Sequence, residues 1–400
     1  MDYLTGCFGG VDWATDSHAV CVVDIGGAVV CEFDVEHTAN GLAGLCRRLG
    51  AAGAARVAIE RPDGPVVEAL LEAGLEVVVV SSRAVRALRS RYGTAGNKSD
   101  RSDAYILADC LRTDGHRWPS LEPDSAATVA LRAHVRARKD LVQTRVATAN
   151  QLRAHLRVVF PAAVGLFSRI DSPVSLRFLE RFPSEGRARW LSPKRLSAWL
   201  RANRYSGRTS AEELHRRLTA AAPGADDDRS TVTAALVAVL ETLQAQIKEL
   251  DSRIAELLDA HPDSAIFASL PRAGTIRAAT LLAEIGDCRG RYPDPESLAA
   301  AAGVAPSTRS SGRHRSVTFR WACDKKLRDA LCDFAGDSRH ANTWAQHRYQ
   351  QLRAAPKRHP HAERILARSW AHIIWRIWQD HTPYDPTRHR AHQQLNPNPS

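Results

Sequence analysis

The eight cysteines of this 400-residue chain (Cys7, Cys21, Cys31, Cys46, Cys110, Cys288, Cys323 and Cys332) stand singly. None forms a Cys-x-x-Cys pair, which removes support for a zinc site or a disulfide framework and points to a reducing cytoplasm. No stretch approaches about 18 uninterrupted apolar residues, so no transmembrane helix is expected. The start, Met1-Asp2-Tyr3-Leu4, lacks a basic segment followed by an apolar core, so secretion is not expected either. There is no Gly-x-x-x-x-Gly-Lys-Ser/Thr phosphate loop, which excludes that route to ATP. Nor is there a repeat of roughly 20–50 residues of the kind that builds a solenoid.

What the chain has in excess is positive charge. A formal net charge of +11 with a pI near 9.5 implies an acidic partner, most simply nucleic acid. Arginine greatly outnumbers lysine, which a GC-rich coding bias and selection for phosphate contacts explain equally well. Hydrophobic content of 44% and charged content of 25% are ordinary for a globular protein, and the length suggests two or three domains.

Residues 6 to about 115 alternate short apolar runs with helical patterns. Strands are expected at Cys7–Asp12, Ala19–Asp24, Ala28–Phe33, Arg56–Glu60 and Glu76–Val80. Helices are expected at Ala39–Leu49, Pro65–Ala73, Ser82–Arg91 and Asp100–Arg112. Three strands joined by tight links, then helix and strand in alternation, give a mixed sheet flanked by helices. That order fits a ribonuclease-H-like α/β domain, in which acids gather at one edge of the sheet centre.

Four carboxylates match that expectation. Asp12 closes the first strand and Glu60 the apolar run Val57-Ala58-Ile59. Asp100 and Asp103 open a helix three residues apart, hence on one side of it. Such a set could hold Mg²⁺ or Mn²⁺, which prefer oxygen ligands, against a phosphodiester. Each residue also has a plainer use. Asp100 sits where an N-cap belongs, Asp103 suits the first turn, and Glu60 could merely close a strand.

From about Ser125 to Phe160 the pattern is helical and basic. Arg132, Arg136, Arg138, Lys139, Arg145, Arg153 and Arg157 lie among apolar positions, as in a helix tracking a phosphate backbone. A solvated helix face is the alternative. The stretch from Pro161 to Gly224 reads as short helices broken by proline and glycine. Leu236, Leu240, Leu243, Ile247, Leu250, Ile254 and Leu257 step by four and three residues, the seam of a coiled coil. Its partner is either the basic helix or a second subunit. The tail after about Arg390 is expected to be disordered.

In the last third, Pro271-Arg272-Ala273-Gly274 before a helix resembles hairpins that present backbone N–H groups to DNA phosphates, although an ordinary connection would read the same way. Residues 301–315, with Ser307, Arg309, Ser310, Ser311, Gly312, Arg313 and Arg315, read as a flexible loop beside an anionic ligand. A serine there could attack phosphorus, or could simply form a turn.

Taken together these motifs resemble the insertion sequence 110 family of transposases, the DEDD serine recombinases guided by a bridge RNA. The resemblance rests on Gly10-Val11-Asp12-Trp13-Ala14-Thr15 with His18, on Glu60-Arg61-Pro62-Asp63-Gly64, and on Lys98-Ser99-Asp100-Arg101-Ser102-Asp103-Ala104. It continues through Gly303-Val304-Ala305-Pro306, Ser311-Gly312, Leu327-Arg328 and Pro383-Tyr384-Asp385-Pro386-Thr387-Arg388-His389. It spans nearly the whole chain. Two positions depart from the family pattern: Arg272, where Pro-Gly-x-Gly is frequent, and Cys323, where a glycine is.

The resemblance implies a Holliday-junction-resolvase-like domain (residues 1–120), a basic helical and coiled-coil region (121–262) and a mainly helical transposase domain (263–390), with a tail at 391–400. It places the metal tetrad on Asp12, Glu60, Asp100 and Asp103. It places the nucleophile on Ser311, which joins covalently to DNA, with Arg309, Arg313 and Arg315 as nearby phosphate-binding candidates. It implies DNA and a bridge RNA as partners and an oligomer between dimer and tetramer. The rivals are a metal nuclease using water, a non-catalytic nucleic-acid-binding relative, and an invertase acting without a guide.

Overall fold

The computed structural model describes residues 6–61, 64–89, 99–221, 224, 229–311, 314–355 and 357–388; across 308–316 the description is of backbone. Asp63, Lys98, Gly312, Arg313, His389 and the tail therefore lie outside the described residues. The chain divides into two compact units, one ending at Pro123 and the other beginning at Asp124.

The first unit holds a five-stranded sheet of β1 (Cys7–Asp12), β2 (Ser17–Val23), β3 (Val29–Glu36), β4 (Ala54–Ile59) and β5 (Glu76–Val79), in the order β3-β2-β1-β4-β5. The β1–β2 and β2–β3 pairs are antiparallel, whereas β1–β4 and β4–β5 are parallel. Parallel neighbours need crossover helices. These are α1 (Ala39–Ala51) and α2 (Pro65–Glu72), followed by α3 (Ser82–Arg89) and α4 (Asp100–Asp114). Strand alternation sends Val11, Val20, Val57 and Ile59 into one core with Leu45, Leu49 and Leu70 of α1 and α2. It sends Phe8, Cys21, Ala58 and Val78 into another with Ala104, Leu107 and Leu111 of α4. The result is helix, sheet, helix, with α4 lying over the centre of the sheet. This is the ribonuclease-H-like arrangement expected from the order of elements.

The second unit is mainly helical. It contains α5 (Ala126–Val159), then α6 (Pro173–Arg181), α7 (Glu185–Ala188), α8 (Pro193–Ala202) and α9 (Ala211–Ala220), then α10 (Ser230–Asp259). There follow α11 (Ser264–Ala268), α12 (Gly274–Ile285), α13 (Pro295–Ala301), strands β6 (Ser307–Ser311) and β7 (His314–Thr318), and α14 (Lys325–Ser338), α15 (Thr343–Ala354) and α16 (His359–Gln379). Leu131 and Val135 near the start of α5 share a core with Ile254 and Leu258 near the end of α10. Leu152 and Leu156 share a second core with Val237 and Leu240. The two long helices therefore run antiparallel within the chain. They supply both cores of the compact unit that begins at Asp124.

The buried side of α10 is Thr233, Val237, Leu240, Ile247, Ile254 and Leu258. Leu236, Leu243, Leu250 and Leu257 are only half-buried, so the contact line is rotated from the leucine stripe. Two polar residues occupy the rotated line. Gln244 donates to the carbonyl of Asp171 at 2.5 Å, and Asp251 accepts from Arg138. Among the described residues, α10 is the one helix long and apolar enough to cross a membrane; here its apolar side is packed along α5.

Candidate active site

Asp12 and Glu60 are brought together by the sheet. Val11 pairs with Ile59 in the parallel β1–β4 ladder, so the residues after them leave the sheet side by side, with strands about 4.8 Å apart. Alternation from Phe8 through Gly10 to Asp12, and from Ala58 to Glu60, aims both carboxylates to the α4 face. Arg61 stacks over the Trp13 ring at 4.3 Å, which braces the two strand ends to each other.

Helix α4 delivers the other two acids. Its N-cap is Ser99, whose hydroxyl accepts from the Ser102 amide at 3.2 Å. The plainer reading of Asp100 as the cap is thereby corrected: Asp100 is the first helical residue, exposed, and Asp103 follows one turn later with 2% of its surface exposed. A β-carbon on Gly10 would lie 2.1 Å from the Ala104 carbonyl. Only glycine lets α4 approach β1 this closely, two residues from Asp12 and one from Asp103.

One residue in this site was not foreseen. Arg89, at the end of α3, grips both oxygens of Asp103, with Nε to Oδ1 at 2.8 Å and Nη2 to Oδ2 at 2.5 Å. That hydrogen-bonded pair, with added attraction from Glu60 and Asp12, holds the guanidinium above its ordinary pKa. The sequence signal was faint: Arg83, Arg86 and Arg89 recur every third residue, which reads as a solvated helix face.

The donor set is all carboxylate oxygen and suits a hard divalent cation. As the side chains stand, no group of three His, Cys, Asp or Glu among the described residues is arranged to hold one. Both oxygens of Asp103 are taken by Arg89.

Beside this site His18 is fully buried and stacked near Trp13. Its Nδ1 accepts from the Ala14 amide at 3.3 Å, so Nε2 carries the proton and donates to Nδ1 of His37 at 2.9 Å. Burial, then repulsion from His37, lowers its pKa below 6.5.

In the second unit Ser311 is the last residue of β6, paired with His314 of β7. Where a flexible loop was expected, β6 and β7 pair antiparallel, from Ser307 with Thr318 to Ser311 with His314. Thr308, Val317 and Thr318 supply the β-branched residues that favour strands. Arg309 pairs with Ser316, and Arg315 with Ser310.

The basic helix α5 does not offer all its cations to a partner. Arg132 is held by the buried Asp124. Arg136 reaches Glu284 at 2.7 Å, where the carboxylate is 4% exposed. Arg138 pairs with Asp251, and Arg145 lies 3.6 Å from Asp171. Lys139 reaches Asp329 at 2.7 Å across an exposed gap. Arg153 donates to Asn150 at 2.7 Å, and Arg157 is exposed. Arg132, Arg136 and Arg145 are tied to buried carboxylates, which leaves Arg138, Lys139, Arg153 and Arg157 for a phosphate track, since exposed pairs exchange at little cost and buried ones do not. Lys139 borders a groove of about 740 Å³ that also reaches Gly274 and Thr275 at the start of α12 and Lys326 of α14.

Comparison with known proteins agrees with this architecture. A family model described as a transposase matches residues 9–161. A second, the transposase IS116/IS110/IS902 family, matches residues 264–350. The chain is 31% identical, over 97% of both chains, to a Streptomyces coelicolor protein named "Mini-circle putative transposase for IS117". It is 30% identical, over 78% of both, to an uncharacterized protein of insertion element IS110 from the same species. It is 27% identical, over 80% of this chain, to an uncharacterized protein of insertion element IS900 from Mycobacterium paratuberculosis.

Proposed function

The chain belongs to the IS110 family of transposases, and on that premise we propose that it cuts and rejoins DNA through a covalent link to Ser311. In this reading Asp12, Glu60, Asp100 and Asp103 hold a divalent cation, Mg²⁺ or Mn²⁺, and a bridge RNA supplies target choice. The supporting observation is one of placement: Asp12 and Glu60 follow the paired ends of β1 and β4, and α4, which carries Asp103, packs directly over β1 at Gly10. Acids on these adjoining elements of a ribonuclease-H-like sheet suit the binding of cations that face phosphate.

When bound, the cation neutralises the non-bridging phosphate oxygens and the departing oxygen. The protein supplies the rest. The Ser311 Oγ forms a bond to phosphorus as the bond from phosphorus to the 3′ oxygen of the strand breaks. The leaving oxygen keeps the electron pair, and it gains a proton in exchange for the one the serine hydroxyl loses. Reversal with a different 3′ hydroxyl restores Ser311 and seals a new junction, so the energy of the broken bond is retained and no ATP is consumed. The acids and Ser311 belong to different compact units, which is compatible with a site shared between subunits of a dimer or tetramer.

The test is to mix the protein with element-end DNA, the transcript of the flanking sequence and Mg²⁺, denature, and look for labelled DNA attached to protein. The adduct is expected with the native chain and lost in Ser311→Ala and in Asp12→Ala. Metal-dependent cleavage that survives Ser311→Ala without any adduct would assign the chain to the water-using nucleases instead.

A further inference from the structure

We propose that Arg89 is the resident counter-cation of the acid cluster and that a divalent cation must displace it from Asp103 to bind. This rests on the reading of Asp12, Glu60, Asp100 and Asp103 as cation ligands. The geometry carries it. Asp103 is all but fully buried, and a buried carboxylate without a compensating charge is costly. Arg89 supplies that charge by a two-point grip, Nε to one oxygen and Nη2 to the other, the strongest form such a pair takes.

A hard cation asks for these same oxygens. The cation and Arg89 therefore compete for Asp103, and with the arginine in place the described acids do not form a three-ligand set. Arg89 is the last residue of α3 and is partly exposed, so its side chain has a route out towards solvent. Metal-free protein is held together by the arginine, and loading replaces one cation with another. Such an exchange keeps the acids from repelling one another before a substrate complex forms. It also ties metal uptake to the position of α3.

The experiment measures Mn²⁺ binding to the full chain, without nucleic acid, by electron paramagnetic resonance of free Mn²⁺, together with melting temperatures in EDTA and in Mg²⁺. The variants are Arg89→Gln, Arg89→Lys and Asp12→Asn. Removing the competitor in Arg89→Gln is expected to tighten Mn²⁺ binding by about tenfold or more, or about 1.4 kcal/mol. The same change should lower the melting temperature in EDTA and enlarge the gain on adding Mg²⁺. Lysine keeps a charge but cannot grip both oxygens, so Arg89→Lys should fall between. It alone decides the matter if the glutamine variant does not fold.

Native binding that Asp12→Asn abolishes, but that neither Arg89 variant tightens, would overturn the role of Arg89 and leave the acid site standing. If Arg89→Gln weakened binding, Arg89 would be a brace for the ligands and not their competitor. Absence of Mn²⁺ binding in the native chain, or binding indifferent to Asp12→Asn, would overturn both readings.

Discussion

The carbonyl oxygen of Ala104 occupies the space a side chain on Gly10 would need, 2.1 Å from the position of its β-carbon. This one approach sets the height of α4 over β1, and with it the separation of Asp103 from Asp12. Gly10→Ala must lift the helix, because backbone cannot yield as a flexible side chain can. Overpacking of this kind costs about 1–3 kcal/mol. Urea denaturation should show that loss, and Mn²⁺ binding should weaken in the fraction that remains folded. A variant with native stability and native binding would show that the close approach is not maintained.

The cations of α5 should separate into two groups. Arg136→Gln leaves the buried Glu284 without its partner and should cost about 1–3 kcal/mol of stability. Its effect on the salt dependence of nucleic-acid binding should be small. Lys139→Gln, whose pair with Asp329 is exposed, should leave stability within about 0.5 kcal/mol. It should instead reduce the slope of log affinity against log salt by roughly 0.9, the contribution of one phosphate contact. Filter binding across a salt series, beside denaturation curves, separates the two outcomes.

Arg272 adopts a left-handed conformation, φ 57°, two residues before Gly274 at φ 56°. Its side chain reaches Asp337 at 3.1 Å, and its carbonyl accepts from Arg277 at 3.0 Å. The left-handed region costs an ordinary residue roughly 1–2 kcal/mol, more than an exposed ion pair returns. Arg272→Gly should therefore raise stability by about 0.5–1 kcal/mol. Arg272→Val, with a β-branched side chain in the same conformation, should lower it by about 2 kcal/mol. Equal stabilities for the two variants would contradict the left-handed turn.

His18 makes stability depend on pH. Its folded pKa lies below the ordinary 6.5 because burial and His37 disfavour the charged ring. A proton on Nδ1 would also oppose the amide of Ala14. The unfolded chain then takes up a proton first as pH falls. The contribution of neutral His18 is therefore complete above about 6.5 and is lost on acidification through the window beneath it. His18→Gln should flatten the decline in melting temperature between about pH 7.5 and 5.5. An unchanged slope would mean that the decline comes from other histidines.

Much of the first unit was legible in the sequence. Short apolar runs located the strands, and β1 ends at Asp12, as its run does. The same pattern put Glu60 at the end of a buried strand, which the structure pairs in parallel with β1. What the pattern could not show was the partner of a given charge. Arg89 looks like any arginine on a solvated helix until the fold closes it onto Asp103, and Arg136 looks like a phosphate contact until Glu284 arrives from 148 residues away. The leucine stripe of α10 gave the helix but not its rotation, because Gln244 and Asp251 find partners at the contact line. Ser311 was readable as a residue type beside Gly312. The strands around it were not, because Ser, Thr and Arg in a short run resemble a loop until they pair.

The central claim, a covalent link from Ser311 to DNA, is tested most directly by locating the link itself. DNA–protein adduct formed with the flanking transcript and Mg²⁺ would be digested with nuclease and protease, and the modified peptide sequenced by mass spectrometry. A nucleotide phosphate on Ser311 is expected. A nucleotide on Ser307 or Ser310, or cleaved DNA with no modified serine, would contradict it.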